Sequence, residues 1–133
     1  MAEKQTKVLI VEDDVTMREI VVHKLSTAGF DVLEAADGKQ ALEVWQTGKP
    51  DIVLLDLMLP EMDGFQILEN IRKNKDPQVA NAAVIVLSNL FSKEDIQRAK
   101  TLAIDDFMVK AYYTTEEILT RVKDALKKKA SQK

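Results

Sequence analysis

The pattern of this chain predicts one α/β domain, a doubly wound, parallel five-stranded sheet built as (βα)5 with helices on both faces. Five short apolar runs alternate with amphipathic segments of helical length from one end to the other. One of those runs, in Asp51-Ile-Val-Leu-Leu-Asp56-Leu-Met-Leu-Pro60, is apolar without alternation, as a strand buried on both faces should be. The 133 residues, 46% of them hydrophobic, suit a single core and leave no room for a second domain.

The first strand is expected over Val8 to Val11. The helix after it carries Met17, Val21, Leu25 and Ala28 on one face and stops at Gly29. A second strand, Val32 to Ala36, leads to a helix with Ala41, Leu42 and Trp45 inward that stops near Gly48. Ile52 to Leu55 is the third strand, and the helix from about Phe65 to Asn74 turns Ile67, Leu68 and Ile71 to the core. Residues 74–82 form a longer connection, expected to be ordinary surface loop. The fourth strand spans Ala83 to Leu87, and the next helix opens at Ser92 with Asp95 in an approximate capping box. Asp106 to Val109 is the fifth strand. The last helix opens on a Thr114/Glu117 capping box and carries a stripe of Ile118, Val122, Ala125 and Leu126.

Charge and composition exclude several classes of function. There is no cysteine, so disulfides, thiolate metal sites and thiol nucleophiles are excluded. No apolar run approaches membrane-spanning length, and residues 1–6 lack a signal-peptide core, so a soluble, cytoplasmic protein is expected, with no membrane partner. Net charge is −3, and removing the four lysines of the last seven residues leaves −7 on residues 1–126. An acidic globular part argues against direct nucleic-acid binding. The lysine-rich end, residues 127–133, is expected to be a solubilising, frayed tail beyond a core of about residues 5–127.

The chemistry sits where polar residues interrupt strand ends, the place where open parallel sheets bind ligands. Asp56 ends the third strand among Leu54, Leu55, Leu57 and Leu59. A carboxylate buried there costs several kcal/mol unless something pairs it. Glu12, Asp13 and Asp14 follow the first strand. If the first and third strands are neighbours, these acids crowd Asp56, and a hard cation is needed to relieve them. Oxygen ligands with open water positions suit Mg²⁺, or Mn²⁺. Asp14 is more simply a helix N-cap. Ser88 brings a hydroxyl donor to the end of the fourth strand and Lys110 a mobile cation to the end of the fifth. Carboxylate, metal cradle, hydroxyl and ammonium together are equipment for phosphoryl transfer. His23, the only histidine, and Trp45, the only tryptophan, are read as surface or packing residues.

Four motifs, Val11-Glu12-Asp13-Asp14, Asp51 to Pro60 with Met62-Asp63-Gly64, Val86-Leu87-Ser88, and Asp105-Asp106-Phe107-Met108-Val109-Lys110, occur in that order. With them the chain resembles, over about residues 5–127, the receiver domain of two-component response regulators. The resemblance implies a flavodoxin-like receiver fold and a signalling phosphoacceptor rather than an enzyme with an external product, one that catalyses its own phosphorylation and dephosphorylation. It implies that Asp56 takes a phosphoryl group from a histidine kinase, a phosphotransfer protein or a small phosphodonor. Asp13, Asp56 and the Met58 backbone carbonyl would hold Mg²⁺, with Glu12 acting through water. Lys110 would pair with the phosphoryl oxygens, Ser88 would move in to donate to them, and Phe107 would follow as the aromatic switch. A phosphoryl group adds charge and three strong acceptors, which gives such a donor a reason to move. The surface of the fourth helix, fifth strand and fifth helix would carry the signal to a downstream effector, and Asp106 with Arg121 could join a phosphorylation-dependent homodimer there.

Several positions depart from that pattern. Ala111 follows Lys110 where the family usually has proline, often in a cis bond that points the lysine inward; a trans bond is allowed for, and Lys110 is expected to reach the phosphoryl site all the same. Asn89 replaces a small residue after Ser88 and threatens to crowd Asp56. Ala103-Ile104 replaces Gly-Ala, which removes a glycine helix terminator. Met58 and Leu90, both apolar, are expected to hinder an attacking water and prolong the phosphorylated state. The main competing reading is a degenerate receiver that binds a partner without phosphorylation. A haloacid dehalogenase phosphatase would need an acid at Met58, and a dinucleotide-binding domain would need glycines where Glu12-Asp13-Asp14 stand.

Overall fold

The computed structural model of the chain describes residues 5–89 and 92–131. The elements run β1 Lys7–Val11, α1 Val15–Thr27, β2 Asp31–Ala35, α2 Gly38–Gly48, β3 Ile52–Leu55 and α3 Gly64–Arg72. After an unnumbered single helical turn, Pro77–Ala80, come β4 Ala83–Ser88, α4 Lys93–Lys100, β5 Asp106–Val109, a 3-10 turn Lys110–Tyr112 and α5 Thr115–Ser131. All strands are parallel, in the order β2-β1-β3-β4-β5. The order reverses direction between β1 and β3, and such switch points open a crevice at the carboxyl ends of the strands. Asp56 therefore emerges between the acids that follow β1 and the serine that ends β4.

Side chains alternate across the strands and build one core on each face. Leu9, Val11, Val53, Leu55, Val84 and Val86 pack with Trp45, Ile67, Leu68 and Ile71 of α2 and α3. Val8, Ile10, Ile52, Leu54, Ile85 and Leu87 pack with Val21 and Leu25 of α1 and with Ile118 and Val122 of α5. Each fully buried Leu or Ile contributes about 1.5–3 kcal/mol. Trp45 is wholly buried, and its indole N–H has no partner among the described residues. The helix α4 is different, because Ala99 is its only buried residue. It is held to α3 by Arg98, whose guanidinium lies 4.2 Å from the centre of the Phe65 ring and 2.9 Å from Glu69.

The capping signals act where the sequence puts them. The side chains of Asp14, Asp63 and Ser92 accept the backbone N–H groups of Met17, Gln66 and Asp95. Thr114 and Glu117 exchange the bonds of a capping box. Gly64 is needed at the start of α3 for close approach, since a Cβ there would stand 2.7 Å from the Asp56 carbonyl and 2.6 Å from Leu57 Cα.

One expectation is corrected. Residues 74–82 are not plain surface loop, because Asp76 caps the turn Pro77–Ala80, which carries Pro at its start and buries Val79 and Ala80. A proline at that position is preorganised for helix. At the other end, α5 runs through Ser131, and Lys129 donates to the Asn81 carbonyl at 3.0 Å. The missing glycine terminator after α4 is met differently: Ala103 itself adopts the left-handed conformation, φ 59°. Arg72 holds that turn, donating to the Leu102 carbonyl at 2.9 Å and the Ala103 carbonyl at 3.0 Å. Among the described residues no helix is long and apolar enough to cross a membrane.

Candidate functional site

Asp56 lies at the carboxyl end of β3 with 4% of its surface exposed, and Glu12 at the end of β1 is as deeply buried. The Asp56 carboxylate is paired from three directions. Oδ1 accepts the Ser88 hydroxyl at 2.9 Å and the Met58 N–H at 2.9 Å. Oδ2 accepts the Lys110 ammonium at 2.7 Å. Charge-assisted bonds of this kind allow a carboxylate to be buried. Glu12 pairs with the same ammonium and accepts the Asp14 N–H at 3.2 Å.

One ammonium thus serves two buried carboxylates. Burial raises the Glu12 pKa, and the Asp56 charge adds to the rise, outweighing Lys110 and the Asp14 N–H. Burial pulls the Lys110 pKa down, but the hydrogen bonds and charges of Asp56 and Glu12 outweigh it and the net direction is up. Asp13 is exposed at the rim, and Glu12, Asp13 and Asp56 each offer an oxygen within 4.8 Å of the others. Three carboxylate oxygens so close, with Lys110 as the ammonium between two of them, suit a hard divalent cation.

Sequence reasoning brought Glu12, Asp13, Asp56, Ser88 and Lys110 to one place, and the structure has them there. Ser88 differs in one respect: its hydroxyl is already on Asp56 and fully buried, so it does not wait at a distance. Lys110 reaches the site although Ala111 follows it, and no cis peptide occurs among the described residues. Phe107 is partly buried and packs on the core edge, lining a groove of about 380 Å³ with Ile96, Lys100, Ile104 and Val109. Met58 is 56% exposed beside the site, whereas Leu90 lies outside the described residues. His23 is exposed on α1. Asp106 and Arg121 pair within the chain at 2.6 Å. The side chain of Asn89 accepts the Ala111 N–H at 3.2 Å.

Arg18 was missed from the sequence. It donates to the Glu12 carbonyl at 2.7 Å and to Glu34 at 3.1 Å, fastening the loop that presents the acids. A signal was available, since a cation in the first turn of a helix opposes the macrodipole and calls for acceptors nearby.

Comparison with known proteins agrees with this geometry. Residues 8–123 match the family described as the response regulator receiver domain. A probable transcriptional regulator (ycf27) of Porphyridium aerugineum is 32% identical over 125 residues, covering 94% of this chain and 50% of its own length. The DNA-binding dual master transcriptional regulator RpaA of Synechocystis is 33% identical over 122 residues, covering 92% and 49%. The chain spans about half the length of the curated relatives it matches. Among solved structures, the chemotaxis response regulator CheY4 of Vibrio cholerae aligns with a TM-score of 0.82 at 30% identity, covering 92% of this chain and 99% of that one. A CheY-like receiver domain protein of Methanospirillum hungatei shares the fold, with a TM-score of 0.89 at 22% identity and coverage of 98% and 100%. With the family matched along most of its length and its acids, serine and lysine gathered at one sheet edge, the chain belongs to the receiver domains of two-component response regulators, the signalling phosphoacceptors.

Proposed function

We propose that Asp56 is the phosphoacceptor and that a histidine kinase, a phosphotransfer protein or a small phosphodonor supplies the group. The observation that carries this reading is the placement of Asp56 under Ser88, Met58 N–H and Lys110 and within 4.8 Å of Glu12 and Asp13. A carboxylate oxygen of Asp56 attacks phosphorus, the new O–P bond forms as the P–N bond of phosphohistidine or the P–O bond of acetyl phosphate breaks, and imidazole or acetate departs. Lys110 and Ser88, now paired with the carboxylate, turn to the oxygens of the transferred group, where fixed positive charge and donors lower the barrier. Asp13, Asp56 and the Met58 carbonyl would hold Mg²⁺, with Glu12 through water, and the ion supplies charge neutralisation when bound. Val15, Met58 and Tyr112, at 56%, 56% and 68% exposure, stand on the three segments around the acids and offer an apolar rim to the donor protein.

The output is assigned to the groove between α4 and β5, where Phe107 lies, and to the neighbouring face of α5. The lightly anchored α4 can shift there when Ser88 changes partner. The relatives named as transcriptional regulators suggest an effector that binds DNA, which this face would address. A homodimer through the same face would have to exchange the Asp106–Arg121 pair between copies. The cytoplasm, where such kinases present their phosphohistidine, is the proposed location.

Intact mass after incubation with Mg²⁺ and acetyl phosphate tests the assignment. One phosphoryl group should add to the parent and none to Asp56→Asn. A gain retained in the variant would move the acceptor elsewhere. No gain in either, with a cognate kinase also tried, would favour the phosphorylation-independent interaction domain.

A further inference from the structure

The last paired residues of β4 and β5 are Ser88 and Val109, where the ladder ends. The next residues of the fifth segment form the 3-10 turn Lys110–Tyr112, which has no side-chain cap at its start. The first N–H groups of a helical turn have no partner within it and need an outside acceptor. The Ala111 N–H finds one in Asn89 Oδ1, 3.2 Å away. A side-chain amide thus continues the connection between the strands after the backbone ladder has ended.

That turn carries the lysine whose ammonium lies between Asp56 and Glu12. A lysine stem has four rotatable carbon–carbon links and no rigidity of its own, so where its Nζ rests depends on where its backbone is held. Ser88 and Asn89 are adjacent. One step of chain therefore donates to Asp56 Oδ1 and also fixes the turn whose cation sits on Oδ2. We propose that Asn89 is a positioning residue for Lys110: through the Ala111 N–H it holds the lysine-bearing turn to the end of β4 and keeps the ammonium over the acceptor. Asn89 and Ala111 then act as a pair, the first accepting a bond that only a residue with a backbone N–H at 111 can give. A proline there would leave the asparagine without a donor. The proposal rests on the reading of Asp56 as phosphoacceptor, and it opposes the simpler idea that Asn89 only crowds the site.

The test is a double-mutant cycle read as the initial rate of phosphorylation by acetyl phosphate at saturating Mg²⁺, together with amide hydrogen exchange at Ala111. Asn89→Ala should slow phosphorylation about three- to tenfold, the size expected when one hydrogen bond is lost. In the Ala111→Pro background the same change should alter the rate by less than about twofold, because the bond is already gone. A rate unchanged or raised by Asn89→Ala, as crowding requires, or an equal loss in both backgrounds, would overturn the proposal. The exchange arm needs no phosphorylation: protection of the Ala111 amide in the parent, lost in Asn89→Ala, supports the contact, and an unprotected amide in the parent refutes it. Failure of the parent to take a phosphoryl group would count against Asp56 as acceptor and leave the exchange result to judge the contact.

Discussion

Two cations hold opposite ends of the same sheet, and they do so with different partners. Lys110, at the carboxyl edge, meets two carboxylates. Arg72, beyond the other edge, donates to four backbone carbonyls, those of Ala80, Ala82, Leu102 and Ala103, at 2.7 to 3.0 Å. Burial lowers the Arg72 pKa somewhat, against the charge of Asp105, yet an arginine stays protonated. Carbonyls fixed in the chain cannot leave, so Arg72 is a permanent clasp that joins the Pro77–Ala80 turn to the end of α4. Carboxylates can take a metal or a phosphoryl group instead, so the Lys110 end can change partner. On the proposed function, the difference separates a place that stabilises from a place that acts.

Substitution of each cation sharpens that contrast. The largest effect is expected from Lys110→Met, which should slow phosphorylation by acetyl phosphate about 10²- to 10³-fold, as loss of one charge-stabilising donor does elsewhere. It should also steepen a pH trend. Lys110 has a raised folded pKa, so its stabilisation of the parent is complete below the ordinary lysine value of 10.5 and is lost as pH rises through the folded value. Glu12 is raised by burial even in the parent, so stability there already falls as pH climbs above the ordinary glutamate value of 4.5; without Lys110, which lowers it, Glu12 holds its proton more tightly still and the fall is larger. Denaturant midpoints at pH 5, 8 and 11 check both signs. A variant whose midpoint falls no further than the parent's between pH 5 and 8 would contradict the shared-ammonium account.

Arg72→Met should act in the other direction, lowering stability by about 3 kcal/mol through unsatisfied carbonyls, with phosphorylation of the folded fraction within twofold of the parent. Urea unfolding beside the same mass assay separates the two effects, and a large loss of phosphorylation in fully folded protein would show that the two ends are coupled. The smallest effect is expected at Ala103, whose left-handed backbone is held by the Arg72 clasp. Ala103→Gly should raise stability by about 1 kcal/mol, because glycine enters that region without steric cost. In an Arg72→Met background the gain should persist, since it belongs to the residue's own backbone.

The same contrast explains what could be read from the sequence. Asp56, Ser88 and Lys110 were legible because each is a polar residue ending an apolar run, and parallel strands deliver such residues to one edge whatever the details of packing. Glu12 and Asp13 follow from the pairing of β1 with β3. Asp14, Ser92 and Thr114 were legible as caps because a cap bonds to residues two or three places on. Arg72 was not, since its acceptors are backbone carbonyls 8 to 31 residues away that any sequence would possess. The Asn89–Ala111 contact is hidden for the same reason, and by residue type alone Asn89 suggests an obstruction. Whether Ser88 stood near or far could not be decided from residue types, because a short hydroxyl side chain changes partner with a shift of its loop.

Trp45 gives this chain a built-in optical probe. It is the sole indole, wholly buried in the layer of α2 and α3, and its N–H bonds to none of the acids. Its emission should stay blue and constant while the acceptor is loaded and discharged, and shift to longer wavelength only when the core opens. One unmodified sample therefore permits unfolding to be followed by fluorescence without interference from the signalling state, and each substitution above can be scored for stability and for phosphorylation on the same preparation.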